Sequence, residues 1–256
     1  MPEESKDVMP AHDKFHRELT DLKARLLELA QAAERAIEHS IAALLHRDAD
    51  LARQIITGDQ AVNSLEEAID GECVRLIALF QPVAIDLRQL MAVDHISAEL
   101  ERIGDSATNI AEEVLNLLQL PGKPIHYDLP RMAQQVREMV RQSLQAFLIQ
   151  DPRLAREICK SDDEIDSLDR SIIQDLLVEM TGEPGTIPPG ICQINIVRNL
   201  ERVGDHATNI AEQVVYMVEG ESVRHRCLGL GWGEKGKRGK GEETKAALVS
   251  CIEIRS

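Results

Sequence analysis

The sequence predicts an all-α protein, built as two tandem three-helix bundles related by internal duplication. Three observations lead there. First, Leu-Glu-Arg-Ile-Gly-Asp-Ser-Ala-Thr-Asn-Ile-Ala-Glu-Glu-Val, Leu100 to Val114, returns as Leu-Glu-Arg-Val-Gly-Asp-His-Ala-Thr-Asn-Ile-Ala-Glu-Gln-Val, Leu200 to Val214. Twelve of fifteen positions are identical, which marks a repeated structural unit. Second, apolar residues recur in steps of three and four over long runs, the period of an amphipathic helix. Third, aromatics are only 2% of the chain, and the apolar residues are mostly Ala, Leu, Ile and Val. That mixture suits packed helices better than sheets.

The elements follow in order. Residues 1–11 are polar, carry two prolines and read as a flexible arm. The first bundle spans 12–120. From His12 to Arg47 there is no Pro or Gly, and Phe15, Leu19, Leu22, Leu26, Leu29, Ala33, Ile37, Ile41 and Leu44 form one stripe. This is one helix of ~35 residues, ~50 Å long. Asp48 or Asp50 is placed to cap a second helix, which continues through Ile55, Val62, Leu65, Ile69, Leu76 and Leu79. Gly58 weakens it locally. Pro82 closes it. The third helix runs from about Pro82 or Val83 to Leu118 and carries the first motif. Pro121-Gly122-Lys123-Pro124 marks a linker, 121–125.

The second bundle, 126–226, repeats the plan. Leu129 to Ile149 is its first helix, with Pro130 in the opening turn. Asp151-Pro152 opens the next, to Met180. Thr181 to Gly190, rich in Pro and Gly, reads as a loop, and the last helix runs from about Pro189 to Glu219, closed by Gly220. Residues 227–256 show neither helical nor strand period and are expected to be a disordered tail. Long helices with short connections pack up and down.

The whole-chain numbers narrow the function. A formal net charge of −15 repels nucleic-acid phosphates and anionic lipid and suits cations or a basic partner. The five cysteines, Cys73, Cys159, Cys192, Cys227 and Cys251, make no Cys-x-x-Cys pair and read as reduced packing thiols. The polar start is no signal peptide, and no apolar run approaches the ~20 residues of a membrane span. A cytoplasmic protein is expected.

On a helical projection with Glu101 at zero, Asp105 falls at ~40°, Asn109 at ~80°, Glu112 at ~20° and Thr108 at ~340°. Asp94, at ~20°, extends the line. The apolar stripe of Ile96, Leu100, Ile103, Ala107, Ile110 and Val114 centres near ~210°. The oxygen-bearing stripe therefore faces solvent or a groove beside the bundle. Glu201, Asp205, Thr208, Asn209 and Glu212 repeat it, with Ile194 in place of Asp94. The preceding helices carry matching acids: Asp162, Asp166 and Asp169 in one half; Asp59, Asn63, Glu66 and Asp70 in the other. Stacked carboxylates at i,i+4 repel, and a cation removes that cost. All-oxygen sites suit Mg²⁺, Ca²⁺, Mn²⁺ and iron, and zinc is a further candidate. The expected metal-binding residues are Glu66, Glu101, Asp105, Asn109, Glu112, Asp162, Asp166, Asp169, Glu201, Asp205, Asn209 and Glu212. For any single Glu-x-x-x-Asp pair a solvated acidic face carrying salt bridges is the better explanation; only the duplication with matching upstream acids puts metal binding level with it. His206 lies ~100° round from Asp205, has Ser106 as its counterpart in the first copy, and is not read as a shared ligand. Gly104 and Gly204 cost about 1 kcal/mol each in a helix interior, which points to close approach by a helix or a ligand.

At these residues the chain resembles the PhoU family of phosphate-specific transport system accessory proteins. Glu101-Arg-Ile-Gly-Asp105, followed by Ala107-Thr-Asn-Ile-Ala111, is similar to its repeated signature. So are Gln81-Pro-Val-Ala-Ile-Asp86-Leu-Arg88, Asp162-Asp-Glu-Ile-Asp166-Ser-Leu168 and Val223-Arg-His225. The resemblance covers about His12 to His225. It implies two three-helix bundles and no enzymatic activity. It also implies a negative regulator that acts with the phosphate ABC transporter and a phosphate-sensing histidine kinase when phosphate is plentiful. Some members hold multinuclear metal clusters on Glu/Asp-x-x-x-Asp motifs, here Glu101 with Asp105 and Glu201 with Asp205. A homodimer is expected, reaching the membrane only through partners. Two departures stand out. Asn63 occupies the place of Asp166, and Pro184 to Gln193 does not copy Gln81 to Arg88.

Two other readings compete: a carboxylate metalloenzyme and a metal-binding or metal-free helical scaffold without a phosphate-signalling role. Carboxylate-bridged helical enzymes project ligands inward and use Glu-x-x-His. Neither motif has that pattern, and the stripes point away from the core.

Overall fold

The computed structural model describes residues 10–120 and 124–220. Most of the expected arm, part of the linker, the expected tail and Val223-Arg-His225 lie outside the described residues. Six helices account for the fold: α1 Ala11–His46, α2 Ala49–Phe80, α3 Ala84–Leu118, α4 Leu129–Ile149, α5 Pro152–Gly182 and α6 Ile187–Glu219. No strand occurs among the described residues.

The duplication is visible in the backbone of the turns. α1 ends on Arg47 (φ 55°) and α4 on Gln150 (φ 53°), both left-handed. The next amide in each case reaches back to close the helix, Asp48 to the Ala43 carbonyl at 2.9 Å and Asp151 to the Ala146 carbonyl at 3.0 Å. Those same aspartates then cap the following helix. Asp48 accepts from the amides of Asp50 and Leu51 at 3.0 Å, and Asp151 from Arg153 and Leu154 at 2.8 and 3.3 Å. Of the two candidates for the first cap, Asp48 holds the position.

The stretch Thr181 to Gly190 differs from the expected loop. Thr181 and Gly182 finish α5, Pro184–Thr186 makes one 3-10 turn, and α6 starts at Ile187. Prolines 188 and 189 fall in its first turn, where amide groups have no intrahelical acceptor to lose. A Cβ on Gly190 would lie 2.6 Å from Met180 Sδ, so the end of α5 rests on the start of α6.

The motif helices are central. α3 packs on α1, α2 and α6; α6 packs on α3, α4 and α5; the contact between α3 and α6 is the most extensive. Leu90, Ile96, Leu100, Ile103 and Ile110 of α3 are fully buried, as are Leu22, Leu26, Leu29 and Ile37 of α1. Both three-helix groups therefore lie in one compact unit. The α1 stripe is buried except at Ile41, which is half-buried. Leu79, read as core, is 62% exposed. Val74, Val83 and Ile85 are likewise exposed around the handover from α2 to α3. Leu177, Val178, Ile187 and Ile191 expose the equivalent corner between α5 and α6. No described helix is long and apolar enough to cross a membrane.

Candidate functional site

Each motif helix runs beside the helix before it, α3 along α2 and α6 along α5. A Cβ on Gly104 would stand 3.0 Å from Val62 Cγ1, and one on Gly204 would stand 3.5 Å from Ile165 Cγ2 and 3.8 Å from Asp162 Oδ1. Close approach of a packed helix accounts for Gly104, whereas the neighbouring helix leaves ordinary van der Waals room at Gly204.

The oxygen stripes line the two grooves so formed. In the first, Asp59, Glu66 and Asp70 of α2 face Asp94, Glu101 and Asp105 of α3. The Thr108 hydroxyl donates to Asp59 Oδ1 at 3.1 Å, and Asn63 Nδ2 donates to Asp59 Oδ2 at 3.2 Å. Burial raises the Glu101 carboxyl above its ordinary range, with Asp105, Glu66 and Asp59 adding repulsion. Burial and then Asp59 raise Asp105. Burial followed by Asp70 and Asp94 raises Glu66, and burial followed by Asp70 raises Asp94.

The second groove joins Asp162, Asp166 and Asp169 of α5 to Glu201 and Asp205 of α6. Burial, then Asp205 and Asp166, push Asp162 up to about 6. Burial, then Asp205, Asp169, Asp166 and Asp162, push Glu201 up to about 7. Burial also raises Asp205, against the opposing pull of His206. Desolvation and mutual repulsion act together here, which is the state a bound cation relieves. Among the described residues these acids are near enough to repel, yet no three of them bring oxygens within 4.8 Å of one another.

The remaining predicted residues are placed differently. Asn109 and Glu112 are exposed on α3. Asn209 turns to the other half and donates to Glu99 Oε2 at 3.1 Å. Glu212 is half-buried on α6. Asn63, which replaces an acid, leaves its Oδ1 buried without a hydrogen-bond partner. That is an oxygen donor available to a cation beside Asp59. The donor chemistry of both grooves, carboxylate with amide or hydroxyl oxygen, fits a hard divalent ion.

Sequence reasoning missed the junction between the grooves. His206 Nδ1 lies 2.7 Å from Glu99 Oε2, and Arg102 Nη1 donates to Glu99 Oε1 at 3.0 Å. Burial alone would raise the Glu99 carboxyl. Hydrogen bonds from His206 and Asn209 outweigh it and hold the group below its ordinary range. His206 also draws down the carboxyls of Asp105 and Asp205, so it stands where the two motif helices meet. About four turns further along the same helix pair, Asn195 Nδ2 of α6 donates to Glu113 Oε1 of α3 at 2.8 Å. The one sequence signal for this junction is the histidine itself, the position at which the second copy departs from Ser106.

A duplicated pair of motif helices, back to back and each flanked by an acidic groove, sets what known proteins must share with this chain. A profile of the PhoU domain matches residues 26–114 and again 129–214. The chain belongs to the PhoU family. A PhoU homolog of Pseudomonas putida, a phosphate-specific transport system accessory protein, is 37% identical over 216 residues, 84% of each chain. The crystal structure of PhoU from Pseudomonas aeruginosa superposes with a TM-score of 0.79 at 36% identity, over 81% of this chain and 100% of that one. The phosphate transport system regulatory protein PhoU from Streptococcus pneumoniae gives 0.76 at 31% identity, over 82% of this chain and 99% of that one. The family match supports the helical fold and the two repeats read from the sequence. One matched segment runs from within α1 to within α3, the other from the start of α4 to within α6.

Proposed function

We propose that this PhoU-family chain is a cytoplasmic, non-enzymatic regulator of phosphate uptake. It keeps the phosphate-starvation response off in phosphate-rich cells by coupling a phosphate ABC transporter to a phosphate-sensing histidine kinase. The observation that carries the reading is the pair of acidic grooves on the motif helices, loaded with carboxylates whose repulsion Arg102, Arg170, Arg198 and His206 offset only in part. Such a surface takes up either a divalent cation or the basic groups of a protein partner. Iron, manganese, magnesium or zinc would be held by Glu66, Glu101 and Asp105 in one groove and by Asp162, Asp166, Asp169, Glu201 and Asp205 in the other. The metal would supply positive charge that braces the neighbouring helices; phosphate would approach this acidic body only across such a cation. The apolar corners at Leu79 and Val83 and at Val178 and Ile187 support docking of partners or of a second copy in a homodimer.

The test is genetic. Deletion in the source cell is expected to switch on phosphate-responsive expression in rich phosphate. Complementation by Glu201→Gln/Asp205→Asn should restore repression poorly, and the purified variant should retain less metal than the parent chain. Unchanged expression after deletion overturns the regulatory reading. Equal and negligible metal in both proteins after reconstitution overturns the metal. Light scattering on the purified chain decides the homodimer.

A further inference from the structure

One ligating cluster lies apart from both acidic grooves. His12 and His16 stand at i and i+4 near the start of α1, the spacing that stacks two side chains on one helix face. Asp86 enters beside them from the first turn of α3. Among the described residues, these three are the one group of three or more whose ligand atoms all lie within 4.8 Å of one another.

We propose that His12, His16 and Asp86 form a binding site for a divalent transition-metal ion of the zinc type, distinct from the all-oxygen grooves. The Nε2 atoms of the two imidazoles are 3.0 Å apart, one ring hydrogen-bonded to the other, and an ion would take the place of the shared proton. Two nitrogens bound to one ion at ~2.0–2.1 Å stand ~2.9–3.4 Å apart for ligand angles between square and tetrahedral. The histidine pair is therefore already spaced for a common ion. Asp86 supplies an anionic oxygen, and a two-histidine, one-carboxylate set favours Zn²⁺, Co²⁺, Ni²⁺ or Fe²⁺ over Mg²⁺ or Ca²⁺. Asp13 Oδ1 lies 3.7 Å from Nδ1 of His12. That is beyond hydrogen-bond reach, so Asp13 contributes its negative charge beside the site and does not orient the ring. The competing cation is Lys23, whose pKa Asp86 raises against the larger effect of burial. Its ammonium is already donated to Gln89 Oε1 at 2.9 Å. The rest of the donor sphere is left to water or to a ligand, because His12 is exposed. The ion would clip the start of α1 to the start of α3, next to the apolar corner at Val83 and Ile85. This site goes beyond the regulatory reading and does not depend on it.

The experiment uses the full-length, metal-free protein and Zn²⁺ alone. Zn²⁺ is titrated while the ring signals of the eight histidines are followed by proton–nitrogen correlation spectra. Single variants His12→Gln and His16→Gln assign the two rings. Expected is a shift of both rings that saturates in the micromolar range and accounts for one equivalent of Zn²⁺ beyond whatever the grooves hold. The equivalent is lost in His12→Gln/His16→Gln and weakened at least tenfold in Asp86→Asn, with far-UV circular dichroism unchanged. Glu201→Gln/Asp205→Asn should keep both ring shifts, which separates this site from the grooves. Rings that do not move, saturation only at millimolar Zn²⁺, or an unaltered zinc stoichiometry in the double histidine variant would each overturn the proposal.

Discussion

Glu201 concentrates the electrostatics of the second groove. Its carboxyl is pushed from an ordinary value of 4.5 up to about 7, so the folded chain holds this proton more tightly than the unfolded chain. The linked stability is present at low pH and drains as pH rises from about 4.5 through about 7. Glu201→Gln is therefore expected to stabilise the metal-free protein by about 1 kcal/mol above pH 7, after allowance for solvent screening. The advantage over the parent chain should shrink toward pH 5. Thermal melts of both proteins across that range check it. A saturating divalent cation should reverse the order, because it binds the ionised groove. His206 makes a second prediction. Removing it leaves the Glu99 carboxylate, half-buried between α3 and α6, with fewer donors. His206→Ala should cost ~1–2 kcal/mol, and His206→Asn should recover part of it, both read by urea denaturation. The grooves were legible in the sequence because helical projection needs only the residue spacing. The Glu99 junction was not, because Glu99 and His206 are 107 positions apart and only packing of α3 on α6 joins them.

At the scale of the element, the two copies of one helix are under different constraint. Gly104 and Gly204 occupy the same motif position, yet a methyl group fits only one of them easily. At Gly204 it would meet Ile165 at ordinary van der Waals distance; at Gly104 it would press on Val62 at 3.0 Å. Gly204→Ala should therefore gain about 0.5–1 kcal/mol from helix propensity. Gly104→Ala should gain clearly less or lose stability, since Val62 is buried and must give way. Equilibrium unfolding of the two single variants distinguishes them. The helices themselves were read nearly whole, because stripes of 30 and more residues leave little choice of period. The exception was Thr181 to Gly190. Proline and glycine content marks a break, but a helix start tolerates proline as a loop does, and the stacking of Gly190 on Met180 decided between them.

Across the whole molecule, the most extensive helix contact joins the two repeats. Val93, Ile96, Leu100 and Ile103 of α3 and Val197, Leu200 and Val203 of α6 are all buried. Separating the repeats would expose much of that surface at ~25 cal/mol per Å² of apolar area. Unfolding of the described unit should therefore be one transition. Circular dichroism and hydrogen exchange resolved to α1–α3 and α4–α6 should report coincident midpoints, and a well-separated pair of midpoints would show independent bundles. The motif helices turn their apolar stripes inward, and their acidic stripes remain beside α2 and α5, accessible to an ion or a partner.

The sequence by itself determined the helical class, the duplication, the helix opening at Asp151-Pro152, a first cap at Asp48 or Asp50, and the acidic stripes opposite the apolar ones. These depend on intervals of one to a few turns, or on direct repetition, and local geometry converts them to positions. Tertiary structure alone decided the rest. It made Gly104 a close helix contact, sent Asn209 to Glu99 in place of the groove, left Leu79 exposed, and brought Asp86 to His12 and His16. Each of those outcomes is a distance between residues far apart in the chain. Such distances follow from how helices stack, and no periodicity within one helix encodes them.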